Sequence, residues 1–182
     1  MCKKRGASTE HWATYRNDGG TAKRMYMNLA NAEGTHGSVW PTVATSSLIT
    51  IGTAGDVNAN AGTYVMWCWH SVDGYSKFGT YTGNGSTDGA FIYTGFSPAF
   101  LLVKKTNSSE SWEMFDNTRQ AYNPVNYGLF PDTNAAESSS RGGDFLSNGI
   151  KMRYANGTTN EDGHTYVYLA FAAYPFKYTN AR

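Results

Sequence analysis

Hydrophobic positions along the chain fall in short runs broken by glycine, asparagine, serine and threonine, and no window keeps a helical period over a useful length. Runs of this kind read as short strands between turns. The two Tyr-Val runs, at Tyr64 and Tyr166, are the clearest, and Glu10 to Tyr15, Leu48 to Gly52 and Phe145 to Arg153 follow the same pattern. Residues 77–103 read as strand, turn, strand, loop, strand, with "TGNGSTDG" as turn and "AFIYTGF" as an aromatic strand. The best helical candidate is "TAKRMYMNLANAE" (21–33). Its counterpart later in the chain carries Pro124 and Pro131, which favours a loop or one short turn.

The counterpart exists because the pattern recurs about one hundred residues on. "GTYVMWCWHSVDGYSKFG" (62–79) lies over "HTYVYLAFAAYPFKYTN" (164–180), with Tyr64 over Tyr166, Val65 over Val167 and Lys77 over Lys177. "CKKRGASTEHWATYRN" (2–17) lies over "VKKTNSSESWEMFDN" (103–117), with Trp12 over Trp112. "NLANAE" (28–33) lies over "DTNAAE" (132–137), and "SLITIG" (47–52) over "NGIKMR" (148–153). The expectation is an all-β chain of two similar antiparallel β-sandwich, jelly-roll-like units in tandem. Residues 1–78 form a reduced first repeat and 79–182 a complete second one. The first lacks its opening hairpin, so either it is a smaller unit or another chain supplies the missing strands.

Composition sharpens this picture. Of 182 residues, 15% are aromatic and only 16% charged, against about a quarter charged in an average domain. So sparse a charge with so many Gly, Thr and Tyr fits a surface that other subunits cover. The net charge of +1 gives no basic field for nucleic acid or anionic lipid. No stretch approaches the roughly 20 apolar residues of a membrane helix, and "MCKKRGAST" has no apolar segment behind it as a secretory signal would. Cys2 and Cys68 form no disulfide framework, which fits a reducing compartment.

Side chains that could carry chemistry are few. In "YVMWCW" (64–69), strand alternation puts Val65, Trp67 and Trp69 on one face. Their repeat partners Val167, Leu169 and Phe171 keep bulk and discard the indole, so this face is expected to be core and not a ligand platform. "GDVNANAG" (55–62) spaces Asp56, Asn58 and Asn60 like the start of a calcium loop, but lacks the late bidentate Glu. A bound Ca²⁺ there competes with ordinary Asx turn chemistry, and no other cofactor is implied. Trp40, before a proline and without a repeat partner, either plugs the end of the sandwich or forms a ligand or interface contact. Asp116 and Arg119 are expected to hold their loop as a local ion pair. The four histidines are dispersed, no nucleophile or phosphate-binding motif occurs, and no carboxylate pair is nominated, so no enzyme is expected.

"GYSKFGTYTGNGS", "FIYTGFSPAFLLVKKT", "W-x-x-F-D-x-x-R", "LSNGIKMR" and the closing "TYVYLAFAAYPFKYTNAR" together resemble a repeat domain of tailed-bacteriophage structural proteins. The resemblance spans nearly the whole chain and is weakest in the first repeat, where "YRNDGGTAKR" replaces F-D-x-x-R. It implies a virion building block, a tail-fibre, appendage or decoration subunit, assembled in the host cytoplasm. The implied partners are other virion proteins and copies of itself, a trimer by analogy with phage fibres, with a host-surface glycan or receptor at the loops. Nucleic acid and membrane are not implied. The alternatives are a lectin-like carbohydrate-binding module and, behind it, a host-glycan depolymerase. No catalytic residues come with the resemblance.

Overall fold

A computed structural model describes residues 1–6 and 9–174 of the chain. Its regular structure is antiparallel β throughout, apart from one four-residue helical turn among the described residues. The chain divides into two compact units, Met1–Trp69 and His70–Arg182. That boundary precedes the one expected from the repeat, because the strand that straddles residue 78 packs with the second unit.

The first unit contains β1 (Cys2–Lys4), β2 (Ala13–Asp18), β3 (Thr21–Tyr26), the helical turn α1 (Gly55–Asn58) and β4 (Tyr64–Met66). They form one four-stranded sheet in the order β3-β2-β1-β4. The β2–β3 hairpin turns through Gly19 and Gly20, both at positive φ, with Asp18 opposite Thr21. Two successive positive-φ positions are what a tight hairpin turn demands. Thus 21–26, expected to be loop or a short turn, is a strand: "NDGG" supplies the turn, and Ala22 and Tyr26 share the face toward the core while Met25 is buried on the other. The core beneath this sheet is built from small residues, Cys2, Ala13, Ala22, Val39 and Val57, around Trp40, with Tyr15, Tyr26 and Tyr64 packed against it, half-buried.

The second unit contains β5 (Ser76–Thr82), β6 (Phe91–Tyr93), β7 (Pro98–Lys105), β8 (Glu113–Asp116), β9 (Gly143–Leu146), β10 (Gly149–Met152) and β11 (Thr165–Ala172). They form a four-stranded sheet, β5-β11-β7-β8, and a three-stranded sheet, β6-β10-β9. One core joins Leu101, Val103, Phe115, Tyr166, Tyr168 and Ala170 of the first sheet to Ile92, Ile150 and Met152 of the second. This unit is a two-sheet sandwich. Among the described residues the first unit holds one sheet, so the expected second sandwich is not confirmed.

Part of the architecture is common to both. β4 pairs with β1 as Tyr64↔Lys4, Val65↔Lys3 and Met66↔Cys2. β11 pairs with β7 as Tyr166↔Lys105, Val167↔Lys104 and Tyr168↔Val103. These are the same repeat positions in the same register, and Cys2↔Ala13 likewise matches Val103↔Glu113. The turn before each Tyr-Val strand is tied in the same way. Tyr64 Oη donates to Gly55 O and accepts from Ala59 N at 2.6 Å. Tyr166 Oη donates to Gly157 O at 2.8 Å and accepts from Glu161 N at 2.9 Å. The Trp12 and Trp112 amides each donate to an Asx oxygen, of Asn28 and Asp132. The anchors Lys177 and Tyr178 and the closing motif at 175–182 lie outside the described residues.

Two further expectations are overturned. The expected strand Leu48 to Gly52 does not form, and Leu48, Ile49 and Ile51 are exposed. Its repeat partner β10 exists because β6 and β9 pair with it on both sides. Among the described residues the first unit has no counterpart of β6. The core-facing side of the Tyr-Val strands is also the opposite one from that expected. Tyr166, Tyr168 and Ala170 face the core, while Phe171 packs outside against Tyr75, Phe78 and Phe100.

Candidate functional site: the open edge of the first sheet

The sheets differ in what lies beyond the Tyr-Val strand. β11 is an interior strand. It bonds β7 on one edge and β5 on the other, in a continuous ladder from Thr165↔Thr82 to Phe171↔Ser76. β4 is an edge strand. It bonds β1, and among the described residues no strand pairs with its other side. An open edge presents a row of free N–H and C=O groups and is a template for a further strand.

The side chains around this edge fit that role. β4 ends at Met66, whereas the repeat-equivalent ladder in β11 runs three residues beyond the equivalent Tyr168, to Phe171. Met66 is 38% exposed, Trp69 50% exposed, and Cys68 is exposed and free. Trp67 is half-buried and stacks on Trp12 at 5.7 Å with the rings nearly parallel. At the matching positions in the second unit, β5 lays Phe78 edge-on to Phe171 at 6.3 Å and stacks Tyr81 on Tyr166 at 5.0 Å. The first unit therefore exposes Trp69, whose counterpart Phe171 packs on Phe78 of β5, and Met66 and Cys68, whose counterparts Tyr168 and Ala170 face the core between the two sheets.

The residues singled out from the sequence sit elsewhere. Trp40 is buried; its Nε1 donates to Thr14 O at 2.9 Å and its ring meets Tyr15 edge-on at 5.7 Å. It fills the core, so the ligand or interface contact is withdrawn. The Asp56, Asn58, Asn60 spacing does not make a cation loop. Residues 55–58 are helical, and successive helical residues advance by about 100°, so positions two apart point to nearly opposite sides. Asp56 faces inward, where Oδ2 accepts from Tyr26 Oη at 2.7 Å and Oδ1 from His11 N at 3.3 Å. Asn58 donates to Gly52 O, and Asn60 is exposed. These are turn and core contacts. No group of three His, Cys, Asp or Glu among the described residues is placed to hold a metal ion.

The structure adds one polar cluster the sequence did not single out. Glu113, fully buried on β8, accepts from Arg141 Nη1 and from Thr158 Oγ1. Arg141 also donates to Thr158 Oγ1 at 2.8 Å and lies over the Phe130 ring at 5.2 Å. Burial pushes the Glu113 carboxyl up, against the lowering effect of the Thr158 hydrogen bond and the Arg141 charge. Its other oxygen has no hydrogen-bond partner among the described residues. With no exposure to solvent, this carboxylate locks the 138–160 loops onto β8. The repeat partner of Glu113 is Ala13, so nothing in the first repeat could have flagged it.

The expected loop ion pair is present: Arg119 Nε meets Asp116 Oδ2 at 2.5 Å, and its Nη1 reaches Glu137 Oε1 at 2.6 Å. Burial alone would raise the Asp116 carboxyl, but hydrogen bonds and charge from Arg119 bring it below its ordinary value. In the first unit Arg16 grips Glu33 directly through Nε and Nη2. Glu33 and Glu137, which share a repeat position, each hold a guanidinium supplied from a different place.

No curated protein and no solved structure matches the chain significantly. A family model described as a domain of unknown function, DUF7483, matches residues 1–175. The chain therefore belongs to the DUF7483 family.

Proposed function

We propose that the chain is a structural subunit of a bacteriophage virion, in a tail fibre, appendage or decoration, and that it works by assembling with copies of itself. The observation that carries the assembly half is the open β4 edge beside Met66, Cys68 and Trp69. It lies where the second unit has an interior strand. The phage half rests on the sequence motifs, from "FIYTGFSPAFLLVKKT" to "LSNGIKMR". A low share of charged residues supports a surface meant to be covered. The function is then attachment and self-association rather than turnover, with trimeric symmetry the first arrangement to test.

Sedimentation velocity from micromolar to tens of micromolar tests assembly: concentration-dependent oligomers are expected, and a monomer throughout contradicts it. Antibody labelling of purified particles tests location, and unlabelled particles remove the virion assignment. A carbohydrate-binding role is the second reading, favoured by the exposed rings of Phe91 and Tyr93 on β6 and of Tyr122. It requires hits on a glycan array that weaken when Tyr93 or Tyr122 is changed to Ala.

A further inference from the structure

We infer that the outer face of the β6-β10-β9 sheet binds a neutral saccharide, with Phe91 and Tyr93 as its stacking rings. This rests on the carbohydrate-binding reading and gives it a site and a ligand class.

The face follows from the pairing. Ile92, Ile150 and Met152 turn into the sandwich core, so strand alternation sends Phe91, Tyr93, Gly149, Lys151, Asp144 and Leu146 outward. Tyr93, Gly149 and Leu146 form one cross-strand row, and Phe91, Lys151 and Asp144 the next. Glycine at 149 shapes the surface. A Cβ there would stand 2.7 Å from Phe91 Cζ, so the Phe91 ring reaches across onto the neighbouring strand. Tyr93 extends toward Gly95, whose Cβ would lie 3.7 Å from Tyr93 Oη. Both rings therefore lean on glycines and stay open to solvent, Phe91 46% and Tyr93 61% exposed.

Two properties select the ligand. The first is charge. Lys151 Nζ meets Asp88 Oδ1 at 2.9 Å, and Arg153 Nε meets Asp144 Oδ2 at 2.6 Å. These two cations and two carboxylates sum to zero, so together they offer an ionic ligand no net attraction. They keep further donors and acceptors for hydroxyl groups. The second is size. The exposed parts of Phe91, Tyr93 and Leu146 amount to about 300 Å². A stable protein interface takes roughly 800 Å² from each partner, so this apolar area suits a small ligand. A pyranose supplies both halves of the match. Its C–H faces stack on the electron-rich faces of aromatic rings, and its hydroxyls take the hydrogen bonds alongside.

Native affinity electrophoresis of the full chain tests this. The gels carry dextran, galactomannan or mixed-linkage β-glucan as neutral polymers, and polygalacturonate as the anionic one. At least one neutral polymer should retard the wild type. Added salt should leave that retardation in place, because the charges on this face are already paired. Tyr93→Ala should weaken binding roughly tenfold, while Tyr93→Phe, which keeps the ring, should retain it. Phe91→Leu keeps apolar cover on Gly149 but removes the ring, and should also weaken binding; circular dichroism melts confirm that the variants are folded. Retardation by polygalacturonate alone overturns the inference, as does failure to bind any of these polymers. Binding that survives Tyr93→Ala and Phe91→Leu but falls with Tyr122→Ala overturns this platform and leaves the carbohydrate reading standing. A silent glycan array as well removes both.

Discussion

The paired tyrosines that tie down the turn before each Tyr-Val strand make the sharpest test of the structure. In the second unit, Tyr166 is fully buried and its hydroxyl bridges Gly157 O and Glu161 N. Burial pushes its pKa up to about 12, so the hydroxyl remains a donor throughout ordinary working pH. Tyr166→Phe keeps the ring and its stack on Tyr81 but deletes both bonds. Each bond contributes about 1 kcal/mol net, and leaving buried backbone groups unpaired adds to the loss, so the expected cost is about 2–3 kcal/mol. In the first unit Tyr64 makes the same two bonds from a half-buried position. Water can replace them there, so Tyr64→Phe should cost about 1 kcal/mol. With a urea slope of about 2 kcal/mol/M, Tyr166→Phe should lower the far-UV circular dichroism midpoint by roughly 1 M, about twice the effect of Tyr64→Phe. A Tyr166→Phe cost below about 0.5 kcal/mol, the low end for one hydrogen bond, would refute the bridging role. A larger cost for Tyr64→Phe than for Tyr166→Phe would refute the burial argument that ranks them.

Three further expectations follow from the packing. Trp40→Ala should destabilise by about 3–5 kcal/mol, because it empties the one large buried side chain from a core of small ones; calorimetry checks this, and a near-neutral result would return Trp40 to the surface. Ile150 and Ile49 share a repeat position, but Ile150 is fully buried and Ile49 exposed, so Ile150→Lys should prevent folding while Ile49→Lys changes stability by no more than about 0.5 kcal/mol. Glu113 is held above its ordinary carboxyl range, so it favours the fold fully below its unfolded pKa, and that contribution is lost as pH rises through its folded value. The stability of wild type relative to Glu113→Gln should accordingly fall as pH rises, and a melting-temperature difference that moves the other way would refute it.

Much of the β-structure was legible because short apolar runs between Gly, Asn and Thr turns leave little room for helix. The shared pairings are visible too, since Tyr64 over Tyr166 and Lys3-Lys4 over Lys104-Lys105 set the same ladder twice. The inward face of those strands was not legible. Phasing needs one polar face, and β11 is apolar on both: Tyr168 and Ala170 point to the core and Leu169 and Phe171 to the aromatics of β5 and β7. The burial of Tyr81 was hidden for another reason: its hydroxyl is satisfied by Thr159 O, 78 residues along the chain.

The local pattern left Trp40 between plug and contact and Asp56 between turn and cation ligand; partners brought from elsewhere decide between them, Thr14 O and Tyr15 for the tryptophan and Tyr26 and His11 for the carboxylate. Leu48 to Gly52 and Cys68-Trp69 are different, since their patterns are those of real strands in the second unit. What they lack is neighbours. β10 is held by β6 and β9, and the end of β11 by β5, and each β-strand gains its backbone bonds from the strand beside it. Among the described residues of the first unit no strand takes the place of β6 beside 47–52, which is irregular, and none lies beside 68–69 as both β5 and β7 lie beside the end of β11. Trp67 still exchanges both its backbone bonds with Met1, so the strand preference is unused only at 68–69. A neighbouring strand would satisfy the open edge of β4 as β5 satisfies that of β11. For this reason the edge, rather than any concave pocket, is the place where this domain's chemistry is left incomplete.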